Sequence, residues 1–307
     1  MLAFALDKPE GLSSQQALSA LKRKFKIKKL GHTGTLDPFA TGVLPVFIEE
    51  ATKLIAYLDD SQKTYVATLK LGEKTDTQDK MGQVLEMKKI PDLTKLKLEK
   101  IFEKFLGEQM QTPPQYSAIK VNGKAMYRYA RAGETVELKP RKINVYSLKL
   151  ISFNENQIEF ETTVSRGTYI RSLGESIAVA LDTLGHLTAL RRTISGCFEI
   201  EEAYPLATIL ELDSLDLLEE KMDLKKILKG ILHCEMREEA SIAKLRSGQK
   251  IPCEKFTQNP ELLGNKVCLY FESLPQCIAE LVSDNQREYF LKPLRIFHAI
   301  QKNRSKE

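Results

Sequence analysis

The sequence predicts an α+β fold: a mixed, mainly antiparallel central sheet with flanking helices, followed by a small β-rich C-terminal domain. Ile143–Phe153 and Ile158–Val164 alternate apolar and polar residues on either side of Asn154-Glu155-Asn156, the pattern of two antiparallel strands. Segments with helical apolar spacing interrupt the strand-like runs at irregular intervals, and no repeated βαβ beat runs through the chain. A doubly wound parallel sheet does not fit that order.

Taken in order, Ser13-Ser14 caps a helix over Gln15–Phe25, whose Ala17, Leu18, Leu21 and Phe25 fall on one face. Tyr65–Leu71 reads as a strand closed by Gly72, with Gln83–Met87 as its partner across the polar loop Glu73–Gly82. Thr94–Leu106 is a helix with Leu98, Ile101, Phe102 and Phe105 inward, ended by Gly107. Tyr169–Leu184 is a second long helix, ended by Gly185. From about residue 231 the texture changes to short runs such as Lys266–Phe271 and Ile278–Val282 with turn residues between them. The chain therefore divides into residues 1–230 and a smaller unit over 231–307, in line with the length at which single cores stop growing.

Composition excludes several classes. Hydrophobics at 42% and charged residues at 28% are ordinary for a folded domain, and 16 glycines with 12 prolines fit neither collagen nor a disordered chain. No apolar run reaches a membrane span, and Leu2–Leu6 is cut short by Asp7-Lys8-Pro9 with no basic residue before it, unlike a signal peptide. A cytoplasmic protein is expected. The five cysteines form no pair at zinc-knuckle spacing; His233-Cys234 are adjacent and would point to opposite faces of a strand, so no metal site is expected and the thiols read as reduced, packed side chains.

The net charge of +5 conceals a pattern. Residues 1–33 and 115–142 each carry seven basic and two acidic residues, whereas 199–223 carry nine acids and one lysine. A molecule sided in this way can meet a polyanion, although any single lysine run is also compatible with a merely solvated face.

The densest chemistry lies in Gly31-His32-Thr33-Gly34-Thr35-Leu36-Asp37-Pro38-Phe39-Ala40-Thr41-Gly42. Three glycines around one His and one Asp describe a tight irregular loop, and Pro38 restrains the backbone that carries the Asp37 carboxylate. Spacing alone leaves a catalytic carboxylate, an Asx-type turn and a phosphate cradle open, though the cradle lacks the Lys-Ser/Thr of a P-loop.

This stretch resembles the signature of the TruB-type transfer RNA pseudouridine synthases. So, in the family's order, do Leu6–Ser14, Glu50-Ala51-Thr52-Lys53, Lys63-Thr64-Tyr65, Leu71–Thr77, Pro113–Ala118, Gly167-Thr168-Tyr169-Ile170-Arg171 and Leu190-Arg191-Arg192. The resemblance covers about residues 4 to 210; beyond it, Gly248 and Leu291–Arg295 resemble the family's small PUA-like domain. It implies a pseudouridine synthase catalytic domain over 1–230 with a thumb-like RNA-binding insertion at about 110–142, and a PUA-like RNA-binding domain over 231–307.

The implied activity is isomerisation of uridine 55 in the TΨC loop of transfer RNA, in a stand-alone monomer that needs no cofactor, since substrate and product are isomers. A guide-RNA-dependent synthase and a tRNA-folding chaperone are the alternatives; the Gly31–Gly34 form and the thumb-like insertion favour the stand-alone type. The resemblance assigns Asp37 as nucleophile, Arg171 as its cationic partner, and Tyr65 as the residue that stacks on the target base and assists at C5. Tyr169 and Leu190 line the uridine pocket. His32, five residues before Asp37, suits the space left by a base swung out of its stack; a turn histidine and a general base are the competing readings. Tyr127 and Tyr129 interleave with the basic residues of the insertion.

Overall fold

A computed structural model of the protein describes residues 2–117, 119–121, 123–126, 129, 132, 134, 136–215, 223–253, 259–284 and 288–297. Its largest element is a ten-stranded sheet. The strands are β1 (Leu2–Lys8), β2 (Leu30–His32), β3 (Thr41–Ile48), β4 (Gln62–Leu71), β7 (Gly107–Gln111), β10 (Arg141–Phe153), β11 (Gln157–Ser165), β12 (Gly185–Ser195), β13 (Phe198–Glu199) and β14 (Tyr204–Pro205). The order is β14-β1-β3-β12-β4-β11-β10-β7, with β2 on β3 and β13 on β12. Only β1–β14 and β3–β12 are parallel, so the sheet is mixed and mainly antiparallel. Two small hairpins stand outside it: β5 (Glu73–Thr75) with β6 (Val84–Met87), and β8 (Lys120–Val121) with β9 (Lys124–Ala125).

Helices α1 (Ser14–Lys24), α2 (Lys95–Glu103) and α3 (Ile170–Ala180) cover one face of the sheet. Ala17, Leu18 and Leu21 of α1, Leu98, Ile101 and Phe102 of α2, and Leu173 and Ile177 of α3 join one core with Phe4, Leu44, Leu69 and Phe160 of the sheet. The opposite faces of β1 and β3 enter a second core, where Ala3, Ala5, Val43 and Phe47 meet Cys268, Tyr270, Ile278 and Phe297. The apolar opening of the chain is thus a strand buried on both faces, which is why it reads as a run rather than an alternation.

The C-terminal partners belong to a five-stranded sheet: β15 (Leu232–Glu235), β16 (Ile251–Pro252), β17 (Lys266–Phe271), β18 (Leu274–Ser283) and β19 (Tyr289–Ile296), in the order β15-β17-β18-β19-β16. Lys53 Nζ also donates to the Ile296 carbonyl at 2.9 Å, joining the two sheets by a polar contact. Cys234, Cys253, Cys268 and Cys277 are buried, and burial pushes the Cys268 thiol up to about 11 and Cys277 to about 12, so both behave as small apolar side chains. Among the described residues no three metal-ligating side chains cluster, and no helix is long and apolar enough to cross a membrane.

Three sequence expectations are corrected. Val84–Met87 pairs with Glu73–Thr75 and not with Tyr65–Leu71, because both edges of β4 are taken by β11 and β12. Helix α2 ends at Glu103, with Gly107 opening β7. Helix α3 ends at Ala180, and Asp182, not Gly185, takes the left-handed conformation beyond it (φ 65°). Gly185 is needed for a different reason: a Cβ there would lie 2.8 Å from the Ala178 Cβ and 3.0 Å from the Lys70 carbonyl, so helix and strand could not approach as they do.

Candidate active site

The loop that carries Asp37 is fixed from several sides by residues of the preceding and following elements. Ser13 caps α1 by accepting from the Gln16 N–H while the Gln16 side chain accepts from the Ser13 N–H, a reciprocal capping box. Its buried neighbour Ser14 instead holds the loop: Ser14 Oγ accepts from the Leu36 N–H at 2.8 Å and donates to the Leu36 carbonyl at 3.2 Å. The Gly11 N–H donates to the Pro38 carbonyl at 2.9 Å, and the Ala40 N–H donates to the Asp37 carbonyl, closing a turn. Leu36, Phe39 and Ala40 anchor it in the core.

Arg192 holds the two ends of the same loop. Fully buried, it donates from Nε to the Val43 carbonyl and from Nη2 to the Gly34 carbonyl, each at 2.7 Å. Its own backbone lies against Gly42, where φ is 100° and a Cβ would stand 2.2 Å from the Arg192 carbonyl oxygen. Gly42→Ala combines a left-handed penalty with a backbone clash and is expected to destabilise the protein by about 3 kcal/mol, read as a lower urea midpoint at unchanged m-value.

Asp37 lies at the base of a cleft of about 360 Å³, within the size range of small-molecule sites. Tyr65, Tyr169, Arg171 and Leu190 line the same cleft. Its floor follows from strand periodicity: Lys63 and Tyr65 on β4, and Leu190 and Arg192 on β12, are pairs two residues apart that face the same side. Arg191, between them, faces away and forms a forked pair with Asp7 at 3.1 and 2.8 Å.

Arg171, in the first turn of α3, is 3% exposed at its side chain. Its Nη1 donates to the Thr77 carbonyl at 2.7 Å and its Nη2 to the Tyr116 carbonyl at 2.8 Å, leaving Nε 2.9 Å from Asp37 Oδ2. This last contact is a charge pair rather than an aligned hydrogen bond, as the Nε–H has no properly directed acceptor. A second buried carboxylate, Asp79, lies 3.6 Å from Nη1 and accepts from Thr77 Oγ1 and the Met81 N–H.

The Asp37 side chain keeps 36% of its surface open to the cleft but is otherwise enclosed by protein. Desolvation raises its pKa above the ordinary aspartate range; Arg171 opposes this, Asp79 adds to it, and Lys8 pulls it back. Lys8 is itself buried, donating to the Pro9 and Leu12 carbonyls at 2.7 and 2.6 Å, and burial brings its pKa down to about 8.

The profile described as TruB family pseudouridylate synthase (N terminal domain) matches residues 22–170. The tRNA pseudouridine synthase B of Hydrogenovibrio crunogenus is 41% identical over 294 residues, covering 95% of this chain and 92% of that protein. The chain belongs to the TruB family. The tRNA pseudouridine synthase B of Francisella philomiragia is 49% identical over 208 residues, 67% of this chain and 69% of that protein. Among solved structures, Cbf5 in a Cbf5-Nop10-Gar1 complex superposes with a TM-score of 0.68 at 24% identity over 96% of this chain and 84% of that one, a likeness of fold.

In this TruB-family chain His32 ends β2, paired with Val46, and is not among the residues lining the cleft. Its Nδ1 is buried without a hydrogen-bond partner, and desolvation together with Arg192 lowers its pKa from the ordinary histidine value. Tyr169 precedes α3, exchanges two hydrogen bonds with the Gln111 side chain at 2.8 and 3.0 Å, and has the Arg141 guanidinium 5.5 Å from its ring centre. Of the insertion, Tyr127, Arg128 and Arg131 lie outside the described residues.

Several cleft residues were given no role by sequence reasoning: Arg192, Lys63, Asp60 and Arg166. For Lys63 the signal was present, since it stands two residues from Tyr65 on a strand. Asp79 had none, and Lys8, although inside the Leu6–Ser14 motif, gave no sign of its burial, because a buried charge beside the site is visible only when distant segments are brought together.

Proposed function

We propose that this chain is a stand-alone synthase that converts uridine 55 in the TΨC loop of transfer RNA to pseudouridine. The observation that carries the reading is the pair of Asp37 with the buried guanidinium of Arg171 at the base of a nucleoside-sized cleft, in a chain whose relatives are named tRNA pseudouridine synthase B. A carboxylate whose desolvation is opposed by a fixed cation, and which is open to the cleft, suits nucleophilic attack on a uridine turned out of its stack.

Asp37 attacks the nucleoside at C1′ or C6, the N1–C1′ bond breaks and the base turns. A C5–C1′ bond then forms, Asp37 leaves, the C5 proton departs and N1 takes one up. Atoms and electrons balance, so no redox carrier or ATP is consumed. Tyr65 stacks on the base and assists removal of the C5 proton, and Leu190 lines the pocket beside it from the neighbouring strand. Tyr169 closes the wall beside α3. His32, at the end of β2, meets the RNA loop where the base has left.

The basic insertion at about 110–142 closes on phosphates of the stem-loop, and residues 231–307 hold the distal part of the same arm; the enzyme acts as a monomer in the cytoplasm. The purified protein alone is expected to release tritium from a tRNA transcript labelled at C5 of uridine, with one pseudouridine formed per molecule. Dependence on an added guide RNA or protein partner would overturn the stand-alone reading in favour of guided modification.

The reaction also has an expected pH dependence. The attacking form of Asp37 is ionised, and its pKa is raised, so activity is full above that raised value and is lost as pH falls through it. The acid limb of kcat/KM is expected above 3.8, the ordinary value for an aspartate, and Arg171→Lys should move it.

A further inference from the structure

On the wall of the same cleft the structure places two cations, Lys63 and Arg166, on a single carboxylate, Asp60. Lys63 is 7% exposed at its side chain, yet its ammonium lies 3.5 Å from the Asp60 backbone carbonyl and 3.4 Å from Asp60 Oδ2, too long for a strong ion pair. Arg166 stands at the rim, 74% exposed, with Nη1 3.2 Å from the other Asp60 oxygen. Its backbone is fixed, since the Arg166 N–H donates to the Ser61 carbonyl at 2.7 Å. The Arg192 guanidinium lies next to Lys63 across Gly34. Asp60, Lys63, Arg166 and Arg192 all line the cleft.

A buried ammonium with a poor partner is costly unless an anion completes it. Uracil and ribose carry no charge, so the anion the substrate can offer here is a phosphodiester. We propose that Lys63 and Arg166, bridged by Asp60, form a phosphate subsite that takes the backbone linkage beside the target uridine and fixes the nucleoside over Asp37. The inference rests on the synthase reading and names positioning residues for it. Asp60 keeps the two cations apart and oriented before the RNA arrives, and the incoming phosphate then shares their charge with it. Lys63 and Tyr65 lie on one strand face, so a phosphate seated on Lys63 sets the distance at which the attached base meets Tyr65.

The test uses an RNA hairpin with the TΨC-loop sequence, carrying a neutral methylphosphonate in place of either phosphodiester that flanks the target uridine. For the wild type, one of the two substitutions is expected to lower single-turnover kcat/KM about tenfold, the scale of one lost charge-assisted contact. Arg166→Gln and Lys63→Met should show a similar loss on unmodified RNA and change by less than about twofold on the neutral linkage, because the interaction is already gone. Independent, multiplying losses in the variants, or no response of the wild type to either linkage, would overturn the subsite. Lys63 is a buried position; should Lys63→Met melt early, Arg166→Gln at the exposed rim decides the question. A wild type inactive on the unmodified hairpin would overturn the reading of function itself, which keeps the two failures distinguishable.

Discussion

Asp37→Asn is expected to remove at least about a thousandfold of turnover in the tritium-release assay while leaving RNA affinity intact. The amide has the shape of the carboxylate but cannot form the covalent link to the nucleoside. Affinity, read by filter binding, should stay level or tighten slightly, because a negative charge has been taken from a cleft that receives a polyanion. Stability should not fall. The raised pKa of Asp37 means that the fold disfavours its ionised form relative to the unfolded chain. That penalty is full above the folded pKa, shrinks as pH falls below it and is gone only below the ordinary value of 3.8, so a neutral amide escapes it at pH 7. Near-normal turnover in this variant would remove Asp37 from the chemistry.

Arg171→Met is expected to lose both activity and stability, and the contrast with Asp37→Asn is informative. The guanidinium joins three other segments to its helix: Asp37 of the loop, Thr77 and Asp79 beyond β5, and the Tyr116 carbonyl. Its removal leaves the buried Asp79 and the half-open Asp37 facing each other's charge, with two carbonyls short of a donor. A cost of about 3 kcal/mol is expected, toward the lower end for a broken buried pair because Asp37 retains contact with water. Urea denaturation should show it as a lower midpoint. Surviving activity should need a higher pH, since nothing then opposes the desolvation of Asp37 as strongly. Arg171→Lys retains a charge but not the planar fork, and should lie between the two. A variant as stable as the wild type would show that the guanidinium does not tie these segments together.

Strand and helix identities were largely legible because each element carries its own period. The alternation of Ile143–Phe153 and the one-sided apolar face of Gln15–Phe25 reflect local geometry, and Ser13-Ser14 marks its helix start. Where reading failed, the deciding factor lay elsewhere in the chain. Nothing within Gln83–Met87 says that both edges of β4 are already occupied. Gly185 looks like a helix stop, whereas its role is to let α3 and β12 approach, a demand set by Ala178 and Lys70.

The candidate site divides in the same way. The residues of the Gly31–Gly42 loop, with Tyr65, Tyr169, Arg171 and Leu190, could be singled out from linear motifs, because a reactive carboxylate, its restraining proline and a family's spacing are written in consecutive residues. Distances and burial could not. That Arg171 reaches Asp37 across a separation of 134 positions, that Arg192 holds Gly34 and Val43, that Lys8 and Asp79 adjust the charge of Asp37, and that His32 stands outside the cleft wall were decided by the tertiary structure. The physical reason is that the energy of a charge depends on solvent exclusion and on neighbours a few ångströms away, and both are supplied by segments remote in the chain.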